Sequence, residues 1–123
     1  MLRIGSTVLG VSDVKRAVDF WTKALDYVPR DDDFDDTWAV LVPAEGLGAA
    51  LSLGLSDTPA QDKPRVHLDL YAGDAEDQDA EVERLIALGA SRVDWDSYPS
   101  DPDFVVLADP DGNRFCVIET DRG

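Results

Sequence analysis

Apolar and polar positions follow the same order twice along the chain. One short extended segment opens at Ser6 and another at His67, and each reaches an aspartate seven residues later, Asp13 and Asp74. An aspartate carboxylate at such a position can accept hydrogen bonds from the free amides at a helix start. The pattern therefore predicts a strand followed by a helix in each half of the chain.

The segments that follow both aspartates carry apolar residues at helical spacing. The first stripe recurs at three- and four-residue steps and consists of Val14, Ala17, Val18, Trp21 and Leu25. The second is shorter and consists of Val82, Leu85 and Ile86, with Gly89 as a stop. We expect the first helix to end near Asp26 and Trp21 to lie in the core.

Three further extended runs follow the helix in each half. They cover residues 27–30, 38–42 and 49–53, then 92–95, 104–107 and 114–119. The last two are joined by Asp109–Asn113, where Pro110 favours a turn and Gly112 can adopt a positive φ. This order predicts one α+β domain over residues 1–123, built from two tandem βαβββ modules with curved mixed sheets. Module one covers residues 4–55, a linker 56–64 and module two 65–120, and we expect a ligand cleft between their concave faces.

Composition narrows the possible partners and the compartment. The net charge of −15 argues against nucleic acid, since phosphate backbones are bound through Lys and Arg, and it favours cationic ligands. Cys116 is the single cysteine, which excludes an internal disulfide and fits a reducing compartment. The N-terminus does not resemble a signal peptide, and no run of about 18 apolar residues predicts a membrane span. We expect a cytoplasmic protein.

The chain opens with a strand–helix unit at Val8–Trp21 and closes with a hairpin at Asp109–Phe115. Taken together, these motifs resemble the first strand–helix unit and the last hairpin of the vicinal oxygen chelate superfamily, which contains glyoxalases, bleomycin-resistance proteins and extradiol dioxygenases. His67–Leu70, Glu81–Leu85 and Leu88–Ala90 resemble the glyoxalase-like branch. The resemblance implies paired βαβββ modules, a homodimer, and a pocket in which metal-using members hold a divalent ion with four side chains.

The resemblance also assigns four positions of this chain to those metal ligands. They are Ser6, then Leu51 or Ser52, then His67, and finally Cys116. Ser6 is a poor ligand for a divalent ion and Leu51 offers no donor atom. We therefore expect no complete metal site. The cofactor stays open, with a divalent metal ion as the less favoured alternative.

His67 and Asp69 are the candidate catalytic residues. They lie two positions apart on one strand and so share a face, with Tyr71 next along it. An imidazole beside a carboxylate suits general acid–base chemistry, although a polar pair lining a cleft would look the same. These two residues and Cys116 could also form a metal site. The simpler interpretation of Cys116 is a small buried side chain.

Aromatic residues supply the other candidates for ligand contact. A large ring on a strand or loop can stack on a flat or cationic molecule. The predicted ligand-binding residues are the aromatic Trp38, Tyr71, Trp95, Tyr98 and Phe104, together with Cys116.

From these residues we predict a protein that binds a small, aromatic or cationic molecule in the cleft without a complete metal site. The alternative is a metal-dependent lyase, isomerase or dioxygenase that uses His67, and a pure interaction module is a third class. Whether the chain is an enzyme is left open, because one scaffold of this kind hosts many chemistries.

Overall fold

The computed structural model describes residues 1–121 and contains two compact units, Met1–Pro59 and a second unit that begins at Ala60. The first unit consists of β1 (Ser6–Val11), α1 (Val14–Leu25), β2 (Tyr27–Pro29), β3 (Trp38–Pro43) and β4 (Ala50–Leu55). The second consists of β5 (Leu68–Gly73), α2 (Ala75–Leu88), β6 (Ser91–Arg92), β7 (Phe104–Ala108) and β8 (Arg114–Glu119).

Both units have the same sheet topology. The first sheet has the order β1-β4-β3-β2 and the second β5-β8-β7-β6. In each, the first strand pairs in parallel with the last, and the remaining neighbours are antiparallel. The predicted α+β fold of two βαβββ modules is therefore confirmed.

Side-chain caps explain where the helices begin, and residues with positive φ explain where they end. The Asp13 carboxylate accepts a hydrogen bond from the Arg16 amide at 3.1 Å, and α1 ends at Asp26 in the left-handed conformation. Asp74 and Asp77 cap α2 reciprocally through each other's backbone amides. At the other end of α2, Gly89 has φ 127°, which a glycine adopts without strain.

Each helix buries its apolar stripe against its own sheet. In α1 the side chains of Phe20 and Trp21 are 1% exposed, and their rings meet edge to face with centroids 5.0 Å apart. In α2 the buried apolar side chains are Val82 and Leu85, and this helix packs against β5 and β8. The second sheet is thereby covered on one face, so alternate residues of its strands are available for a site on the other face.

The run predicted as a strand over residues 92–95 pairs only at Ser91 and Arg92. The chain then leaves the sheet as a loop that carries Trp95 and Tyr98. Within residues 1–121, neither helix has the length and apolar character needed to cross a bilayer.

Candidate functional site

A cavity of about 480 Å³ lies in the second unit, within the size range of small-molecule sites. Its wall is mostly apolar, with a few polar and charged side chains. The lining residues are Pro64, His67, Asp69, Tyr71, Trp95, Ser97, Asp103, Phe104, Val106, Arg114, Phe115, Cys116 and Ile118.

Strand alternation arranges the floor of the cavity in rows. Asp69 pairs with Cys116, which pairs with Val106 on the next strand. Two residues further on, Tyr71, Ile118 and Phe104 form a second row. In the opposite direction Arg114 pairs with Ala108, and the same register brings His67 level with Arg114. One end of the cavity is therefore basic and the other end apolar.

The polar centre of the cavity is formed by His67, Asp69 and Cys116. Nδ1 of His67 lies 3.0 Å from Oδ1 of Asp69, and one donor atom from each of the three residues falls within 4.8 Å of the others. Nδ1 can bond this carboxylate only as an N–H donor, which leaves Nε2 as the nitrogen that can exchange a proton with a ligand when the ring is neutral. The carboxylate thus orients the imidazole.

The Cys116 thiol is held in its protonated form. Burial of the side chain raises its pKa from 9.0 to about 11, and the neighbouring Asp69 charge and the hydrogen bond to that carboxylate act in the same direction. Because only the thiolate is a strong nucleophile, Cys116 is less reactive than an ordinary cysteine at neutral pH, and its protonated thiol donates a hydrogen bond to Asp69.

An ion pair connects the loop that carries Trp95 to the segment that precedes β5. Lys63 Nζ lies 2.8 Å from Oδ1 of Asp96. The hydrogen bond from Lys63 lowers the pKa of Asp96, and a second bond from Ser97 adds to this effect. Both side chains are more than half exposed, so the pair positions the loop without contributing much to stability.

The structure brings six of the eight predicted site residues to this cavity. His67, Asp69, Tyr71, Trp95, Phe104 and Cys116 all line it. Tyr98 does not line it, because its ring packs against Phe104 and its hydroxyl accepts a hydrogen bond from the Val106 amide at 2.7 Å. Trp38 lies in the first unit, beside a hollow of about 170 Å³ with Asp31, Asp33 and Asp35.

Sequence reasoning missed Arg114, which is the only lysine or arginine within residues 1–121 that lines the cavity. It stands two positions before Cys116 on β8, so the alternation that placed Asp69 beside His67 could have placed Arg114 on the same face. Ile118 and Val106 follow from the same rule, applied to Cys116 and Phe104. Pro64, Ser97 and Asp103 lie in loops, where strand alternation gives no signal.

The four metal positions implied by the resemblance do not form a suitable ligand set. Val8 and Asp69 are equivalent, because each lies two residues after the first metal position of its unit, Ser6 or His67. Val8 pairs with Ser52 and Asp69 pairs with Cys116, so the uncertain second position is Ser52 rather than Leu51. In the first unit the Ser6 and Ser52 hydroxyls lie 2.6 Å apart and bond each other. Neutral hydroxyls are weak ligands for a divalent ion, so only His67 and Cys116 among the four are credible ligands.

Comparison with known proteins agrees with this topology. The glyoxalase-like domain family matches residues 6–118. The search of curated proteins gave no match.

Solved structures cover almost the whole chain at low identity. A glyoxalase/bleomycin resistance protein/dioxygenase family enzyme from Burkholderia phytofirmans has a TM-score of 0.73 and 14% identity, with 96% of this chain and 98% of that chain covered. A possible glyoxalase from Bacillus cereus has a TM-score of 0.71 and 19% identity, with 96% and 99% covered. FosX, a fosfomycin resistance protein from Listeria monocytogenes, has a TM-score of 0.74 and 17% identity, with 99% and 94% covered.

These structural likenesses support the fold, and the family match spans nearly the whole sequence. The chain therefore belongs to the glyoxalase-like family of the vicinal oxygen chelate superfamily.

Proposed function

We propose that this protein binds a small organic molecule with a flat apolar part in the cavity of its second unit, and that it does so without a complete metal site. The observation that carries the proposal is the cavity itself: about 480 Å³, walled mainly by apolar side chains, with His67, Asp69 and Arg114 as polar contacts. A few polar groups in an apolar hollow are typical of small-molecule sites. Two similar structures are those of a fosfomycin resistance protein and of a glyoxalase/bleomycin resistance protein/dioxygenase family enzyme, and both names support a function that involves a small molecule.

Trp95 provides a direct test, because it is the only tryptophan that lines the cavity. A panel of flat aromatic and aliphatic compounds is screened by thermal shift, and each hit is titrated against intrinsic fluorescence. We expect hits to raise Tm and to change the emission of the wild type and of Trp38→Phe. The Trp95→Phe variant should lose the fluorescence change. Hits that change emission only through Trp38, or a panel without hits, would contradict the proposal.

His67 and Asp69 are proposed as the pair that transfers a proton if the bound molecule is converted. The 3.0 Å contact between Nδ1 and the carboxylate supports this role, since it fixes the ring while Nε2 stays free for exchange. A His67→Gln variant keeps a polar side chain but cannot titrate. We expect it to bind the hits and to lower any turnover by about a hundredfold or more, because it cannot transfer a proton, and unchanged turnover would rule out the pair.

A second candidate function is supported by the convergence of His67, Asp69 and Cys116 within 4.8 Å. Imidazole, carboxylate and thiolate are the three donor types that zinc prefers, and three protein ligands are the usual number in catalytic zinc sites. Such an ion would supply Lewis-acid chemistry for a lyase or isomerase reaction, whereas a dioxygenase reaction would need a redox-active ion such as Fe²⁺ at the same side chains. The ion would also have to displace the thiol proton, whose raised pKa opposes binding.

Elemental analysis of the purified protein, followed by titration with Zn²⁺ and Co²⁺, separates the two candidates. The metal-free proposal predicts substoichiometric metal and no thiolate–cobalt absorption band. One equivalent of tightly bound metal that is lost in Cys116→Ser would favour the second candidate instead.

We further propose that the chain is a cytoplasmic homodimer. Family resemblance supports the dimer, as does the exposure of Ile4 (82%), Val8 (59%) and Leu55 (52%), since large apolar side chains in water favour burial in an interface. Sedimentation equilibrium tests it, and a monomer at micromolar concentration would contradict it.

A further inference from the structure

Arg114 has unused hydrogen-bonding capacity at the basic end of the cavity. Its Nη1 donates to the Gly112 carbonyl at 3.1 Å, and its Nη2 donates to Oδ1 of Asp62 at 3.2 Å. A guanidinium has five N–H donors, so three have no protein partner within residues 1–121. The side chain is only 21% exposed, so most of its surface lies against protein atoms.

The charge of Arg114 is only weakly compensated by its carboxylate partner. The Asp62 side chain is 95% exposed and lies in the segment before β5. Exposed ion pairs contribute little, because water and salt screen them and holding the side chains costs entropy. An anionic group of a ligand can therefore join or replace Asp62 at the guanidinium.

The hairpin before β8 fixes where this guanidinium lies. The buried Asp109 carboxylate accepts hydrogen bonds from the Asp111 and Asn113 amides at 3.0 and 2.8 Å. The Asp109 amide in turn donates to the Asn113 carbonyl at 2.9 Å. Arg114 is the next residue, so its backbone is set by a closed turn, and the bond to Gly112 holds its side chain back over that turn.

The other charged groups of the wall disfavour an anion elsewhere in the cavity. Asp69 occupies the middle row, and Asp103 directly precedes Phe104 of the apolar row. Arg114 and Ile118 are four residues apart on β8, about 13 Å along the strand. A ligand that is anionic at one end and apolar along the rest matches this gradient in only one orientation.

We propose that the ligand of this cavity is a small organic carboxylate, whose carboxylate is bound by Arg114 and whose ring or chain lies over Tyr71, Phe104 and Ile118. The inference rests on the proposed binding function and adds the chemical class of the ligand. A single guanidinium can balance only one negative charge, so a singly charged carboxylate is favoured over a phosphate or phosphonate dianion. The overall charge of −15 slows the approach of such an anion but does not alter the contacts at Arg114.

Ligands of the same shape and different charge test this proposal. Phenylacetate, phenylacetamide and phenethylammonium are titrated into the protein by NMR, with phenylphosphonate as the dianion. We expect phenylacetate to bind about tenfold tighter than the amide and the ammonium compound, because charge-assisted hydrogen bonds are about twice as strong as neutral ones.

Two variants assign this preference to Arg114. Arg114→Gln should reduce phenylacetate binding to the level of phenylacetamide and leave the amide unchanged. Asp62→Asn, on a fully solvated side chain, should strengthen phenylacetate binding by removing the competing carboxylate. Arg92→Gln is the matched control, since Arg92 is paired with Glu83 and does not line the cavity.

Each result has a separate meaning. Equal affinity for the three phenyl compounds would overturn the carboxylate inference while the proposed binding function survives. Tighter binding of phenylphosphonate would overturn the single-charge argument. If phenylacetate is preferred but neither variant changes this preference, the anion is bound elsewhere and the role of Arg114 is wrong. If no compound binds, and the wider panel also gives no hit, both proposals fall.

Discussion

Replacing Asp69 by Asn is expected to make Cys116 more reactive. Desolvation is the largest cause of the raised Cys116 pKa, and the Asp69 charge and its hydrogen bond are the second and third causes. The substitution removes the charge and the anionic acceptor but leaves the burial unchanged. The pKa of the Cys116 thiol should therefore fall part of the way toward its ordinary value.

The magnitude follows from the pKa itself. A thiol whose pKa is raised from 9.0 to about 11 has roughly a hundredfold smaller thiolate fraction at any pH below both values. Since Asp69 accounts for the second and third causes only, its removal should recover part of this factor, on the order of tenfold in the rate of alkylation.

Cys116 is the single cysteine, so alkylation by iodoacetamide followed by mass spectrometry reports on this site alone. The rate is measured from about pH 8 to about pH 11, across the range in which the thiol titrates. Asp103→Asn is the control, because Asp103 also lines the cavity but does not contribute to the raised pKa of Cys116. An Asp69→Asn rate at or below that of the wild type would refute this account of the polar centre.

Three predictions concern stability. The folded state holds the Cys116 proton more tightly than the unfolded state, so the free energy of unfolding should fall as pH rises from 9.0 to about 11. This fall should exceed the fall in Cys116→Ala by at most about 2–3 kcal/mol. Gln78→Leu removes the donor to the buried Val117 carbonyl and should cost about 1–3 kcal/mol in urea unfolding, whereas an unchanged midpoint would mean that this bond contributes nothing. Asp109→Ala leaves the Asn113 amide without its acceptor and should cost a similar amount, about 1–3 kcal/mol, measured as a lower Tm.

The sequence predicts the fold well because local signals and the repeat agree. Asp13 and Asp74 stand where helices begin, Gly89 stands where one ends, and the turn at Asp109–Asn113 joins two strands. Each of these signals acts within a few residues, so it can be identified without knowing what packs against it.

The site is predicted only in part, because it depends on register and on loops. A slip of one residue moves a side chain to the opposite face of a sheet, which is why Leu51 and Ser52 could not be distinguished until the pairing with Val8 was known. Trp38 and Trp95 look alike in the sequence, yet only Trp95 lines the cavity of the second unit. Arg114 directly follows the Asp109–Asn113 turn. It was not predicted as a site residue because that segment was interpreted only as a hairpin.

The most direct test of the central claim is a map of backbone amide shifts with the best compound from the panel. We expect the shift changes to concentrate on β5, β7, β8 and the loop around Trp95, and to include Cys116 and Arg114. Changes confined to β3 and the acidic segment at residues 31–36, or a saturable compound that leaves the second unit unperturbed, would contradict it.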